Sequence, residues 1–169
     1  MSNRVRLKEF NAKNIKEITK FIDKDVVKWI EPLREPVDEL QIKKWVRVIN
    51  ETGKFFVVLN KNRIIGAIWL ENINKKNSSA EVGFIIGGKF QGKGYAKEAI
   101  DFILDYGFNQ LNLKKIIGLT TNYNISSQKV MESKGFRLIK TIEKDYQEKG
   151  NGRWCDVLIY EINLKLSRT

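Results

Sequence analysis

Between Gly87 and Ala99 the chain reads GGKFQGKGYAKEA, with four glycines and two lysines in its first eight residues. The amides at the start of a helix lack intrahelical partners and carry partial positive charge, and glycine lets a backbone approach an anion closely. A strand before this turn and a helix after it would make a phosphate cradle; the bland reading is a tight turn. Two nucleotide loops fit poorly. A dinucleotide fingerprint needs a third glycine where Lys97 stands after Gly92 and Gly94. A triphosphate loop is matched by Gly87, Gly92 and Lys93, but Gly94 occupies the place of the hydroxyl that holds magnesium. What remains is a cradle that works by amides alone.

The other chemistry is bounded by what is scarce. The chain has no histidine and one cysteine, Cys155, which removes the commonest metal ligand and general base, any intrachain disulfide and any multi-cysteine metal site. No metal is expected. A proton acceptor must then be a carboxylate, acting directly or through water. Cys155 shares strand parity with Val157 and Ile159 and reads as a buried thiol, not a nucleophile.

These residues need elements to hold them. RVRLKEF reads as a first strand, and Ile15, Ile18, Phe21 and Ile22 recur at helical spacing over residues 12 to 22. The prolines in IEPLREP mark a loop, after which Asp38 is placed to cap a second helix. KFFVVLN and RIIGAIWLEN read as strands joined by a hairpin at Asn60-Lys61-Asn62, and SAEVGFIIG as a third, reached through the polar turn NINKKNSS. Ala96, Ala99, Ile100, Ile103 and Leu104 give one apolar stripe to a helix over Tyr95 to Phe108. KKIIGLTT reads as a buried strand, residues 125 to 134 as a shorter helix ended by Gly135, and FRLIKTIE and RWCDVLIYEINL as two closing strands. Four helices interrupting seven largely antiparallel strands predict a mixed sheet in an α+β fold.

The 169 residues, 42% hydrophobic and 30% charged, suit one domain spanning residues 1–169. No apolar run approaches the roughly 18 residues that span a bilayer, and the first residues lack a signal-like apolar centre, so a cytoplasmic location and no membrane partner are expected. A net charge of +11 favours polyanionic partners, either nucleic acid or a phosphorylated cofactor. The lysines are scattered, which reads as a solvated surface and makes nucleic acid the secondary choice.

QGKGYA has the form [QR]-x-x-G-x-[GA], through Gln91, Gly94 and Ala96, and resembles the acetyl-CoA loop of the GNAT superfamily of N-acetyltransferases. The likeness continues in AEVGFIIGGKFQGKGYAKEA and in NYNISSQKVMESKGF, similar to the family's N-x-x-S segment through Asn124, Ser127, Val130, Gly135 and Phe136. Asp156 and Tyr160 fit the closing strand. It spans roughly residues 4 to 163, and its detail most resembles the RimJ/RimL branch, which acetylates ribosomal-protein N-termini. The resemblance implies a GNAT-like sheet splayed at an acetyl-CoA site, with acetyl-CoA as cosubstrate. It also implies direct transfer to a primary amine in a ternary complex, the acceptor being a protein N-terminus by preference. A polyamine or aminoglycoside is the alternative acceptor, and a basic nucleic-acid or ribosome-binding module on the same fold is the non-enzymatic one. A homodimer is compatible with the likeness.

Residue by residue, the resemblance places pantetheine along Phe84, Ile85 and Ile86, with a backbone N–H near Ile85 steadying the oxyanion. The amides of Gln91, Gly92, Lys93, Gly94, Tyr95 and Ala96 hold the pyrophosphate. Asn124 would touch the pantetheine arm while also serving as a helix N-cap. Ser127 stands where RimL-like members carry a hydroxyl proposed to protonate the departing thiolate. Other branches use a tyrosine where Met131 stands, and Tyr123 is the nearby phenol, so that role stays open between Ser127 and Tyr123. Glu81, entering the cofactor strand, is the best-placed base, with an exposed strand-end glutamate as the other reading. Glu98 reads as structural, and Trp29, Pro32 and Leu33 fall where the family shapes its acceptor pocket.

Overall fold

Phe55 to Val58 are all apolar because the strand that carries them is covered on both sides. In the computed structural model, which describes residues 4–31 and 33–164, Phe55 and Val57 join one apolar cluster and Phe56 and Val58 the other. Among the described residues seven strands make the sheet: β1 (Val5–Glu9), β2 (Lys54–Asn60), β3 (Arg63–Asn74), β4 (Ser79–Ile86), β5 (Lys115–Thr121), β6 (Arg137–Gln147) and β7 (Trp154–Asn163). Their order is β1-β2-β3-β4-β5-β7-β6. Every neighbouring pair is antiparallel except β4 and β5.

The helices divide between the faces. α1 (Ile15–Phe21), α2 (Lys24–Val27) and α3 (Glu39–Thr52) bury Ile18, Val26, Trp45 and Ile49 against Phe55, Val57 and Trp69. α4 (Tyr95–Asp105) and α5 (Ile125–Ser133) bury Ile100, Ile103 and Met131 with Val58, Val82 and Tyr160. The Asp38 carboxylate accepts from Gln41 N–H at 2.8 Å, as a cap should. Lys61 at φ 55° turns the β2–β3 hairpin, closed by Asn60 opposite Arg63. Among the described residues no helix is long and apolar enough to cross a membrane.

The structure adds detail that periodicity does not carry. Residues 12 to 22 split into a 3-10 turn, Ala12–Asn14, and α1, because Asn11 and Asn14 bond each other's backbone and break the helix there. Asp23 then caps α2, so five helices are present among the described residues where four were expected. α4 stops at Asp105 and passes into a π-helical turn over Tyr106–Gln110. A Cβ on Gly107 would lie 2.7 Å from Ile116, so glycine lets this turn rest on β5. β5 itself is not buried throughout: Gly118 lies under Met131, whereas Leu119 is 48% exposed.

Candidate active site

β4 and β5 part company midway. Their parallel pairing runs from Ser79↔Lys115 to Val82↔Gly118 and ends, while β4 keeps its β3 partners out to Ile86. The segment Gly83–Ile86 therefore presents one edge of unpaired backbone to a cleft. Gly87 N–H donates to Ile65 O at 2.9 Å, and strand alternation then turns the backbone groups of Ile85 toward β3 and those of Phe84 and Ile86 toward the cleft. The N–H groups turned to the cleft are those of Phe84 and Ile86, the two neighbours of Ile85, near which an oxyanion donor was expected. One carbonyl there is already used, since Gln91 Nε2 donates to Ile86 O at 2.8 Å. Gln91 thus folds the loop back on the strand it leaves.

The loop reaches α4 through two residues at positive φ, Gly92 at 73° and Gly94 at 82°. Gly94 is the N-cap and offers no side chain to the helix, whose first internal bond runs from Glu98 N–H to Gly94 O at 3.3 Å. The N–H groups of Tyr95, Ala96 and Lys97 are left for an anion. The outer side of the loop is braced. Arg4 donates to Lys93 O at 2.9 Å and to Glu98 Oε1 at 2.6 Å, and its guanidinium lies 5.0 Å from the Tyr95 ring centre. Glu98 is structural, as expected.

Two cavities meet at the splay. The larger, about 870 Å³, runs from the loop past Gly92, Gly94, Tyr95 and Ala96 to Phe84 and Ile86. The smaller, about 450 Å³, opens between β4, β5, α3 and the segment after α2. Trp29, Phe84, Ile85, Asn124 and Ser127 line both. Asn124 Oδ1 accepts from Ser127 N–H at 3.3 Å and from the Ser126 hydroxyl at 3.1 Å, so its cap role is real. Its Nδ2 donor has no partner among the described residues.

The Lys93 side chain does not line the cavity; its ammonium donates to Lys89 O at 3.2 Å, which leaves the role expected of its backbone amide untouched. The cations that do line it are Lys28, Lys97 and Lys129, none of them expected. Tyr123 lines only the larger cavity and packs beneath Arg153, whose Cζ lies 3.6 Å from the ring centre. Ser127 lines the junction. Trp29 is at the site, but Leu33 is fully buried in the core and lines neither cavity. Pro32 lies outside the described residues. Cys155 is buried, as its parity predicts.

The smaller cavity holds the carboxylates. Glu81 lies directly across the ladder from Glu71 on β3, and both line the cavity with Glu31. Burial pushes the Glu71 carboxyl above the usual 4.5; the bond from Trp69 opposes this and the Glu81 charge adds to it. That bond, Trp69 Nε1 to Glu71 Oε1, is 2.8 Å long. Trp69 can lie there because residue 83 is glycine: a Cβ would sit 2.2 Å from the indole. Glu71 was missed by sequence reasoning; its register opposite Glu81 was the signal. Glu31 is partly neutralised by Lys149 at 3.3 Å and Arg34 at 3.2 Å. Tyr146 completes the wall and is no base: burial, then the charge of Glu31, pushes its phenol up to about 12. No lysine or arginine lines this cavity among the described residues.

An amide cradle, a splayed parallel pair and an acidic pocket meeting at a hydroxyl make an acyl-transfer site. The family model described as an acetyltransferase (GNAT) domain matches residues 4–137. The chain belongs to the GNAT acetyltransferase family and is an acetyl-CoA-dependent enzyme. The spermidine N(1)-acetyltransferase of Vibrio cholerae is 33% identical over 130 residues, 76% of this chain and 74% of that one. The crystal structure of the Vibrio cholerae spermidine N-acetyltransferase in complex with CoA and spermine superposes with a TM-score of 0.86 at 24% identity, covering 99% of this chain and all 100% of the other. A ribosomal-protein-S5-alanine acetyltransferase from Vibrio fischeri gives 0.82 at 22%, covering 98% and 97%. At such identities these two structures speak for the fold alone.

Proposed function

We propose that residues 1–169 form one N-acetyltransferase domain whose acceptor is a small cationic primary amine of the polyamine kind. The observation that carries this is the acceptor cavity: Glu31, Glu71 and Glu81 beside three tryptophans, Trp29, Trp45 and Trp69, with no cationic side chain in the lining among the described residues. An ammonium is drawn by the carboxylates and by aromatic faces alike. The similarity to spermidine acetyltransferases supports the same reading. A protein N-terminal amine, of the RimJ/RimL kind that the sequence first suggested, carries one charge and gains less from such a lining.

In this proposal the amides from Gly92 to Lys97 hold the pyrophosphate of acetyl-CoA, and the free edge of Phe84 and Ile86 holds the pantetheine arm with Asn124. Glu71 and Glu81 take the proton from the ammonium through water; the raised pKa of Glu71 makes it a stronger base than an ordinary carboxylate. The neutral nitrogen attacks the thioester carbonyl, an N–H of Phe84 or Ile86 steadies the oxyanion, and the C–S bond breaks. As the tetrahedral adduct collapses its nitrogen sheds a second proton, which Ser127 passes on: the hydroxyl gives its own proton to the thiolate and takes the nitrogen's in return.

The test is thiol release from acetyl-CoA with a panel of spermidine, putrescine, an aminoglycoside and N-terminal peptides. The expected result is a kcat/KM for at least one polyamine about tenfold or more above any peptide. Turnover of peptides without turnover of polyamines would overturn the acceptor assignment.

A further inference from the structure

The hairpin joining β6 to β7 runs through QEKGNGR, Gln147 to Arg153, and its side chains reach the segment that follows α2. The Tyr146 hydroxyl donates to Lys28 O at 2.7 Å, and the Lys149 ammonium donates to Ile30 O at 2.6 Å and Leu33 O at 3.0 Å. The carbonyls that end α2, Val26 O and Val27 O, accept from Trp29 and Ile30 N–H at 3.1 Å, and the hairpin supplies donors to the carbonyls just beyond them. Beneath these contacts lies Glu148, 4% exposed. Its Oε2 accepts from Asn151 Nδ2 at 2.9 Å and Arg153 Nη2 at 2.6 Å, and its Oε1 lies 3.8 Å from Lys28 Nζ. Both cations rest on rings of the site. Arg153 lies 3.6 Å from the Tyr123 ring centre and Lys28 4.9 Å from that of Trp29.

We infer that Glu148 is a positioning residue for acetyl transfer, tying the Tyr123 wall to the Trp29 wall through Arg153 and Lys28, with Lys149 fixing the backbone that carries Glu31. This rests on the transfer reading above. Glu148 lines neither cavity, so it acts only through its partners. Its carboxyl is held below the usual range, first by the Asn151 bond, then by Arg153 and Lys28, against the opposing cost of burial. Removing one member of such a hydrogen-bonded charge cluster leaves the others without a counter-charge, and the walls they carry lose their common anchor.

Glu148→Gln keeps the shape and removes the charge. The expected result is an acceptor KM raised about tenfold with kcat changed less than about threefold, and amide exchange at residues 28–31 accelerated about tenfold. Lys149→Met should raise the acceptor KM and Lys149→Arg should restore it; this pair decides if Glu148→Gln does not fold. A merely structural role would lower the Tm and leave the acceptor KM of the folded enzyme alone. An acceptor KM within about twofold of wild type, or unchanged exchange at residues 28–31, overturns the inference. Should the wild-type chain turn over no amine at all, the transfer reading fails by itself, and the exchange measurement alone judges the tie.

Discussion

Gly94→Val isolates the amide cradle. Gly94 holds φ 82°, ψ 2° at the start of α4, a region that costs a residue with a side chain roughly 1–2 kcal/mol and a β-branched one most. Space is not the obstacle. The nearest atom to an added Cβ is Arg4 Nη2 at 3.2 Å, the far end of a flexible side chain. A backbone that kept its shape would show the strain as lost stability alone, roughly 2–4 °C of Tm per kcal/mol in a chain of this size, and a residue branched at Cβ is the least able to keep it. If the backbone relaxes by rotating Gly94 out of the left-handed region, the amides before and after it turn away from the cavity. Each hydrogen bond lost to a phosphate is worth about 1.5–3 kcal/mol, a rise in Kd of about ten- to hundredfold. Isothermal titration with acetyl-CoA, with and without Mg²⁺, reads both quantities alongside a melting curve. The expected outcome is weakened binding that is indifferent to magnesium. A variant that melts early yet binds acetyl-CoA with the wild-type Kd refutes the reasoning, because the strained turn would then be a frame and not the phosphate site.

Glu71→Gln should lower kcat about 10²-fold and abolish an acid limb that lies above the usual glutamate value of 4.5; an unchanged limb places the base elsewhere. The same shift has a sign in stability. A carboxyl whose folded-state pKa is raised contributes below its unfolded value and loses that contribution as pH rises through the raised one, so Glu71→Gln should gain Tm relative to wild type above that range and not below it. Ser127→Ala should lower kcat about 10²-fold and leave acetyl-CoA affinity alone, with Tyr123→Phe nearly silent; the reverse pattern in steady-state rates would give Tyr123 the proton-donor role.

The strands and the loop were legible because their signals are local. Gly92 and Gly94 at positive φ, Asp38 as a cap and the stripe Ala99, Ile100, Ile103 are consequences of neighbours in sequence. What escaped was set by register between distant segments. Glu71 becomes a site residue only because β3 and β4 align it with Glu81, and the loop is braced from outside because Arg4, 89 positions before Lys93, donates to its carbonyl. Leu33 and Trp29 are four residues apart in one loop, yet one is core and the other wall. No periodicity separates them, since the division depends on how the hairpin after β6 grips that loop.

The net charge of +11 favours polyanionic partners, and the structure shows why a sum over the chain is the wrong quantity for the acceptor. At physiological ionic strength a charge beyond about 8–10 Å is largely screened, so a bound amine senses the groups near its own cavity, chiefly Glu71 and Glu81, with Glu31 offset by Lys149 and Arg34. Lys28, Lys97 and Lys129 against Asp25 stand along the cofactor cleft, and Glu31, Glu71 and Glu81 along the acceptor cavity. The two chambers therefore carry opposite local charge. If the acceptor is the polyamine proposed above, a polyanionic donor and a cationic acceptor would each be drawn to one chamber and repelled by the other, which would sort them to opposite sides of Phe84, Asn124 and Ser127 before any bond is made. Reversing the acceptor chamber alone, with Glu81→Lys, should then raise the KM of a polyamine about tenfold or more and leave the acetyl-CoA Kd unchanged; steady-state kinetics and titration read the two separately, and equal losses in both would mean that the chambers are not electrostatically distinct.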